Sequence, residues 1–279
     1  MKKIFKYFGI LLGGICMSAC GDDATDVALL KSFYNAQAMP LIDAVIANKP
    51  DKIAQALKQG IDVNVLGEHK VTPLLIAFLL EKRKSYRTLL EAGANPNLFS
   101  ENSKPYDFYK QAAVMFDAAG LDDSYYLELA LAHGGDPDLH NPYKPGGNIV
   151  PIFRAVMSSH PKNVQILIDH GANLEKDLNG TTVIFNTVTT SQFNMLWQLV
   201  DAGANYLHKN KRSKSIVNYI ESGRMGPGGS QWPDYFRFIK KLRSEGIDVI
   251  PYAWQAKNFE KYKDKLPPLP PLGDKIRTE

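Results

Sequence analysis

A unit of fixed internal length recurs along this chain and constrains its fold more than any other feature. The clearest copy spans residues 72–97: it opens on Thr-Pro-Leu-Leu-Ile-Ala, continues with apolar residues at helical spacing and closes on Leu-Leu-Glu-Ala-Gly-Ala-Asn. Twenty residues separate its Pro73 from Gly93. The same interval recurs from Pro40 to Gly60, from Pro151 to Gly171 and from Val183 to Gly203. Constant spacing predicts an array of stacked units.

The unit resembles the ankyrin repeat, which has a Thr-Pro-Leu-His-x-Ala helix start, a second helix ending Leu-Leu-x-x-Gly-Ala, and a hairpin. The 33 residues from Pro40 to Pro73 equal the ankyrin period. Where the family carries histidine, this chain has apolar residues, namely Ile42, Leu75, Phe153 and Phe185. The resemblance implies an all-α repeat solenoid of about six helix-turn-helix repeats with hairpin loops.

The third and sixth copies match the pattern least well, and the third has no proline at its start. Counting back 20 residues from Gly134 starts the third repeat at Val114. The sixth is predicted from a first helix over residues 215–220 and a second over 235–243. Extra residues lengthen the chain at 99–109, 140–147 and 221–234, and we expect the last of these to project from the opposite edge of the array.

The first 19 residues are predicted to be a lipoprotein signal peptide. Three lysines precede a short apolar stretch, which is too short to span a membrane. Met-Ser-Ala-Cys resembles a bacterial lipobox, which implies that Cys20 is lipidated; a plain secretory signal is the alternative. Gly21 implies, by resemblance to enterobacterial sorting, the outer membrane. We expect a lipid-anchored periplasmic protein of a Gram-negative bacterium.

The expected domains follow from these features. Residues 1–19 are the signal peptide, and 20–38 are a lipidated tether with an N-terminal capping helix. Residues 39–250 are the ankyrin-repeat domain, and 251–279 are a C-terminal cap and Pro-rich tail.

Charge and cysteine content exclude several functions for the exported chain. Three of the 33 Lys and Arg residues lie in the signal, which leaves 30 against 29 Asp and Glu and a net charge of +1. Nucleic-acid binding therefore loses its electrostatic support. Cys16 leaves with the signal and Cys20 is acylated, so disulfides and thiol catalysis are not expected.

Two motifs resemble chemical sites, and each has a plainer structural interpretation. Residues 133–140 hold two His and two Asp, as a metal site would, but they align with the helix end and hairpin of residues 93–97. Residues 223–229 are glycine-rich, but no Lys-Ser/Thr follows as in a phosphate-binding loop. We expect no metal, cofactor, small-molecule substrate or catalytic residues.

The candidate contact residues lie on loops, where binding residues of a rigid scaffold are commonly found. A basic run at 208–214 could bind an acidic partner or anionic lipid, or be a solvated loop. The remaining candidates are aromatic residues and a histidine on the inserted loops, whereas Trp197 is expected in the core. The protein-binding candidates are Phe99, Tyr106, His140, Tyr143, His208, Lys209, Lys211, Arg212 and Trp232.

The expected activity is stoichiometric protein binding. Lipoproteins of this size and fold are similar to immunity proteins encoded beside type VI secretion lipase effectors, which implies a toxic effector as the partner. An envelope scaffold that tethers a resident periplasmic protein is the alternative.

Overall fold

In the computed structural model the described residues are 23–101, 112–140, 150–177, 180–222, 232–247 and 249. These residues form thirteen α-helices and a single three-residue 3-10 turn, and they contain no β-strand. The chain divides into two compact units, Met1–Tyr143 and Lys144–Glu279. None of the described helices is long and apolar enough to cross a membrane.

The first unit contains a leading helix and three helix pairs. The leading helix is α1 (Asp23–Ser32). The pairs are α2 (Met39–Ile46) with α3 (Pro50–Lys58), α4 (Pro73–Leu79) with α5 (Arg83–Glu91), and α6 (Val114–Ala119) with α7 (Tyr125–Ala132). First helices pack on first helices of the adjacent pair, and second helices on second helices. The predicted start of the third repeat at Val114 is confirmed.

The second unit contains three further pairs arranged in the same way. They are α8 (Pro151–Met157) with α9 (Pro161–Asp169), α10 (Val183–Thr189) with α11 (Phe193–Asp201), and α12 (Ile216–Ser222) with α13 (Trp232–Ser244). The all-α repeat architecture predicted from the spacing is therefore confirmed, with six pairs among the described residues.

Local sequence explains where the helices begin and end. Proline occupies the first turn of six of these helices, where its missing N–H costs no hydrogen bond. Thr72 adds a cap, because its Oγ1 accepts the N–H of Leu75 at 3.1 Å. Each second helix is followed by a glycine with φ between 77° and 90°, a conformation that glycine adopts at little cost. These glycines are Gly60, Gly93, Gly134, Gly171, Gly203 and Gly246.

The turn between paired helices also contains a left-handed residue, and here it is not glycine. In four pairs this left-handed residue has φ between 53° and 61°. The residue after it donates its N–H to the carbonyl of the residue five positions before the donor. These residues are Asn48, Glu81, Ser159 and Ser191. With no glycine to mark it, this turn was not predicted.

The core of each unit is formed by the inward faces of the pairs. Leu41, Ile42 and Val45 of α2 are fully buried against Ile53 of α3. The apolar residues at the ankyrin histidine position are buried as well, so apolar packing replaces that histidine; they are Ile42, Leu75, Phe153 and Phe185. Trp197, which was predicted to be structural, is also buried.

The segment after α1 covers the open side of the first repeat by imitating a hairpin. The carbonyl of Phe33 accepts the N–H of Glu68 at 2.8 Å, as the carbonyl of His69 accepts the N–H of Glu101 at 2.7 Å in the next repeat. The hydroxyl of Tyr34 donates to the carbonyl of Val71 at 2.5 Å, and burial raises the pKa of Tyr34. The carbonyl of Phe33 therefore accepts a hydrogen bond from the first hairpin in the same way as the carbonyl of His69 accepts one from the second.

Candidate protein-binding surface

Five of the helix pairs lead into a hairpin through the same side-chain turn. The Asn or Asp two residues after the closing glycine accepts the N–H two residues further on, at 2.8–3.0 Å, as these short polar side chains do in turns. The accepting residues are Asp62, Asn95, Asp136, Asn173 and Asn205. The Gly-Ala-Asn motif is thus the entry to a hairpin of fixed geometry.

In the first unit, asparagine side chains join successive hairpins. Asn64 accepts the N–H of Asn95 at 2.8 Å, and Asn97 accepts the N–H of Asp136 at 2.8 Å. Their amide groups also donate to the carbonyls of Gly93 and Gly134, at 3.4 Å and 2.9 Å. An amide both donates and accepts, so each asparagine makes two bonds between repeats.

The second unit joins its hairpins differently. Glu175 accepts the N–H of Asn205 at 2.6 Å, but a carboxylate has no hydrogen to donate in return. The hydroxyl of Tyr206 donates to Glu245 at 2.6 Å, which raises the pKa of Tyr206. Lys241 lies 2.6 Å from Glu245 and lowers the pKa of that carboxyl.

In three of the hairpins the outer end is closed by the same backbone hydrogen bond, whose donor stands seven residues after the closing glycine. In the first unit Gly67 donates to the carbonyl of Val71 at 2.9 Å around a three-residue tip, Glu68–Lys70. In the second unit Asn210 donates to the carbonyl of Lys214 at 3.0 Å around residues 211–213. We call residues 67–71 the first tip and residues 210–214 the basic tip.

The insertion after the second repeat is a lengthened tip of the same kind. Ser100 donates its N–H to the carbonyl of Ala112 at 2.9 Å, and its Oγ accepts the N–H of Ala112 at 2.9 Å. Eleven residues lie between this pair, against three in the first tip, which gives the eight extra residues expected from the glycine spacing.

The basic tip is held by a side chain that the sequence interpretation passed over. Asn210 is buried, and its Oδ1 accepts the N–H groups of Arg212 and Lys214 at 2.9 Å and 3.1 Å. Its amide donates to the hydroxyl of Tyr219 at 3.2 Å. The signal for this role was available: Asn210 stands seven residues after Gly203, as Gly67 stands seven after Gly60.

The predicted cationic contact residues lie together on and beside this tip. Lys209, Lys211 and Arg212 are exposed, and Lys214 at the closing position is exposed as well. His208 is half-buried and meets the ring of Phe185 edge-on, with 6.3 Å between centroids. Within the described part of the chain no carboxylate forms an ion pair with these lysines or with Arg212.

The other predicted contact residues are placed differently. His140 is exposed at the end of a described segment, whereas Tyr106 and Tyr143 lie outside the described residues, as does Cys20. Phe99 is 9% exposed, so it packs within the first unit rather than standing out as a contact. Trp232 was assigned to a loop, but it is the first residue of α13, because Pro233 fits the first turn of a helix.

The acidic residues between His133 and His140 belong to the hairpin, and Asp136 forms its hydrogen bonds there. Asp136 accepts the N–H of Asp138 at 2.8 Å and donates its own N–H to Asn97. Among the described residues no group of three or more His, Cys, Asp or Glu is placed to hold a metal ion.

Comparison with known proteins identifies the fold. The sequence matches no protein-family model. An ankyrin repeat domain from Acinetobacter baumannii AYE is similar in structure, with a TM-score of 0.58 and 21% identity over 75% of this chain and 98% of that one. The ankyrin repeat protein EF0377 has a TM-score of 0.54 and 21% identity, over 68% and 93% of the two chains. The chain therefore has the ankyrin-repeat fold.

Two curated sequences are similar to part of this chain. The mitochondrial disaggregase of Homo sapiens is 24% identical over 189 residues, which are 66% of this chain and 25% of that protein. The mitochondrial disaggregase of Bos taurus is 21% identical over 185 residues, or 66% and 21% of the two chains. The chain thus spans about a quarter of the length of the curated relatives it matches.

Proposed function

We propose that this chain is a lipid-anchored periplasmic protein that binds and occludes a secreted toxic effector, such as a lipase, and so acts as an immunity protein. The observation that carries protein binding is the constant hairpin backbone with variable tip residues. The first tip and the basic tip share their closing hydrogen bond but differ in every tip side chain. Variable surface residues on a repeated rigid framework are the usual means by which repeat proteins bind other proteins.

The location and the kind of partner are supported by the sequence. Basic residues, a short apolar stretch and Met-Ser-Ala-Cys favour export and acylation of Cys20. More than one acyl chain gives stable anchoring at a membrane. A toxic effector as partner is inferred from similarity in fold, size and expected location to immunity proteins, which is support by analogy.

Binding is proposed without catalysis. In this mechanism the array covers the active site or membrane-binding surface of the effector at one-to-one stoichiometry. Occlusion needs a slow dissociation rate rather than reactive groups, and dissociation rates are where most affinity differences between protein complexes arise.

A pull-down tests this proposal. The chain from residue 21 onward is used as bait against the native cell envelope and against the product of the adjacent gene, with an unrelated exported protein on the same tag as control. We expect one tight partner with lipase or other toxic activity, neutralised at one-to-one ratio.

The contrary outcome is equally defined. Capture of resident envelope proteins, together with no protection of cells against the product of the adjacent gene, would replace the immunity role with that of an envelope scaffold. In that case the protein-binding module remains and only its partner changes.

A further inference from the structure

The basic tip is a built element rather than a loop that happens to be charged. Asn210 uses both ends of its buried amide to hold the tip, and its backbone carbonyl accepts the N–H of Ser213 at 2.8 Å. Ser213 has φ of 56°, a conformation that costs free energy for a residue other than glycine. The surrounding hydrogen bonds therefore fix the tip in one conformation.

The preceding hairpin holds the tip from the other side. Lys211 donates its N–H to the carbonyl of Gly180 at 3.2 Å, and its aliphatic stem lies over Gly180. A Cβ on Gly180 would come within 2.2 Å of the Cγ of Lys211, so a larger residue there would displace the lysine. The position of Lys211 is thus set by two hairpins.

The charges on the basic tip are not neutralised by the neighbouring hairpin. Glu175 binds the N–H of Asn205, and Asp177 binds the N–H of Gly180. Both carboxylates thus serve the hairpin backbone. In the first tip, by contrast, Lys70 lies 2.6 Å from Glu101. The same backbone therefore carries a paired charge in one unit and, in the other, a cluster of cations with no ion-pair partner among the described residues.

We propose that the basic tip binds a carboxylate-rich segment of a partner protein. This rests on the proposed protein-binding function and adds the chemistry of the partner. Arg212 can hold a carboxylate through two parallel hydrogen bonds, while the lysines supply point charges around it. A fixed tip loses little conformational entropy when a partner with a defined arrangement of carboxylates docks.

An acidic protein segment fits the tip better than a lipid surface does. Attraction to an anionic membrane is not directional and depends on the number of charges near the surface. It needs no buried asparagine to fix the cations. Residues 209–214 also contain no apolar side chain that could insert among lipids, as interfacial segments commonly do.

The test measures binding of a fluorescent decaglutamate peptide to the chain from residue 21 onward, by anisotropy at low and at physiological salt. The double variant Lys211→Gln/Arg212→Gln should weaken binding about tenfold, because each exposed pair contributes modestly. Asn210→Ala keeps all charges but loosens the tip and should weaken binding about threefold.

A matched double variant separates the tip from net charge. Lys49 and Lys52 are exposed in the first unit, and Lys49→Gln/Lys52→Gln removes the same charge. This control should bind the peptide within about twofold of the unchanged protein. Equal weakening in both doubles would mean that only net charge matters and would overturn the proposal. Since Asn210→Ala could unfold its repeat, thermal unfolding of each variant is followed by tryptophan fluorescence, and the charge doubles decide the question alone.

Two further outcomes decide against the proposal. Binding to vesicles of equal parts phosphatidylcholine and phosphatidylglycerol without binding to the peptide would assign the tip to lipid. Binding to neither probe would leave no role for it. Failure of this inference can be told apart from failure of the proposed function. A captured effector whose affinity is unchanged by the tip variants would sustain the immunity role and overturn only the inference about the tip.

Discussion

The first tip and the basic tip have the same closing backbone hydrogen bond but are stabilised by different residues at its first position. In the first tip, Gly67 leaves room for Tyr34, because a Cβ would come within 2.8 Å of the Cζ of that ring. In the basic tip, Asn210 fills the position and binds the tip from inside. The first tip is thus stabilised by the N-terminal segment, whereas the basic tip is stabilised by its own Asn210 together with the carbonyl of Gly180 in the preceding hairpin.

Charge differs along with support. His69 meets Phe33 edge-on at 5.6 Å between centroids, and Lys70 pairs with Glu101, so the first tip is occupied by contacts within its unit. Among the described residues no carboxylate pairs with the four cations on and beside the basic tip. The comparison thus separates a tip with a paired charge from one whose cations have no ion-pair partner among those residues.

The largest expected effect comes from removing the support of the first tip. Phe33 is buried, and Phe33→Ala should lower the free energy of unfolding of the first unit by about 3 kcal/mol through lost packing and a cavity. Urea unfolding followed by far-UV circular dichroism measures this. Leu66, which is 52% exposed, is the control, and Leu66→Ala should change stability by less than about 0.5 kcal/mol. Equal losses for both variants would contradict the proposed support.

A smaller loss is expected where the N-terminal segment meets the tip. Gly67→Ala should cost about 2 kcal/mol, because its Cβ forces Tyr34 aside. In a Tyr34→Ala background the same change should cost less than half as much, since the clash with the ring is gone and only the 3.1 Å approach to the carbonyl of Phe33 remains. A double-mutant cycle by urea unfolding checks both numbers. An additive cycle would show that the two residues do not interact.

Asn210→Ala tests whether the side-chain hydrogen bonds of Asn210 stabilise the basic tip. It removes three side-chain hydrogen bonds, and we expect a loss of about 1–2 kcal/mol in the free energy of unfolding. All three tryptophans lie in the second unit, so their fluorescence reports on that unit. Asn210→Asp keeps the two acceptor bonds and should lose less. If the alanine variant unfolds with an unchanged midpoint, the amide does not hold the tip.

Much of this fold followed from the sequence, because its main signals are backbone requirements. Closing glycines such as Gly60 take the left-handed conformation that ends each second helix, and prolines such as Pro73 fit a first helical turn. Both therefore appear at fixed spacing. Even the third repeat, which lacks the proline, could be placed by counting from Gly134. Its predicted start at Val114 is where α6 begins.

The site was less predictable, because it depends on contacts between distant residues. The charges of Lys211 and Arg212 were visible in the sequence, but Asn210 acts through a tyrosine nine residues later. Lys211 in turn is positioned by a glycine in the preceding hairpin. Phe99 was taken for a contact residue because aromatic residues on loops often are; it is instead buried beside the Ser100–Ala112 pair.

The smallest expected effect extends the comparison to the turns between paired helices. Ser191 has φ of 58°, and its side chain makes no hydrogen bond within the described part of the chain, so Ser191→Gly should relieve strain and stabilise the second unit by about 0.5 kcal/mol. Asn48 has φ of 55°, but its Oδ1 accepts the N–H of Ser85 at 2.9 Å.

The equivalent change in the first unit should therefore not stabilise it. Asn48→Gly gains the same relief of strain but loses a hydrogen bond of about 1 kcal/mol, so its net effect is neutral or unfavourable. Urea unfolding of both variants, by tryptophan fluorescence for Ser191→Gly and far-UV circular dichroism for Asn48→Gly, measures the difference. Equal stabilisation by the two substitutions would mean that the bond from Ser85 of α5 to the Asn48 side chain adds nothing to stability. Opposite signs would show that the two units fill one strained position for different reasons, as their tips do.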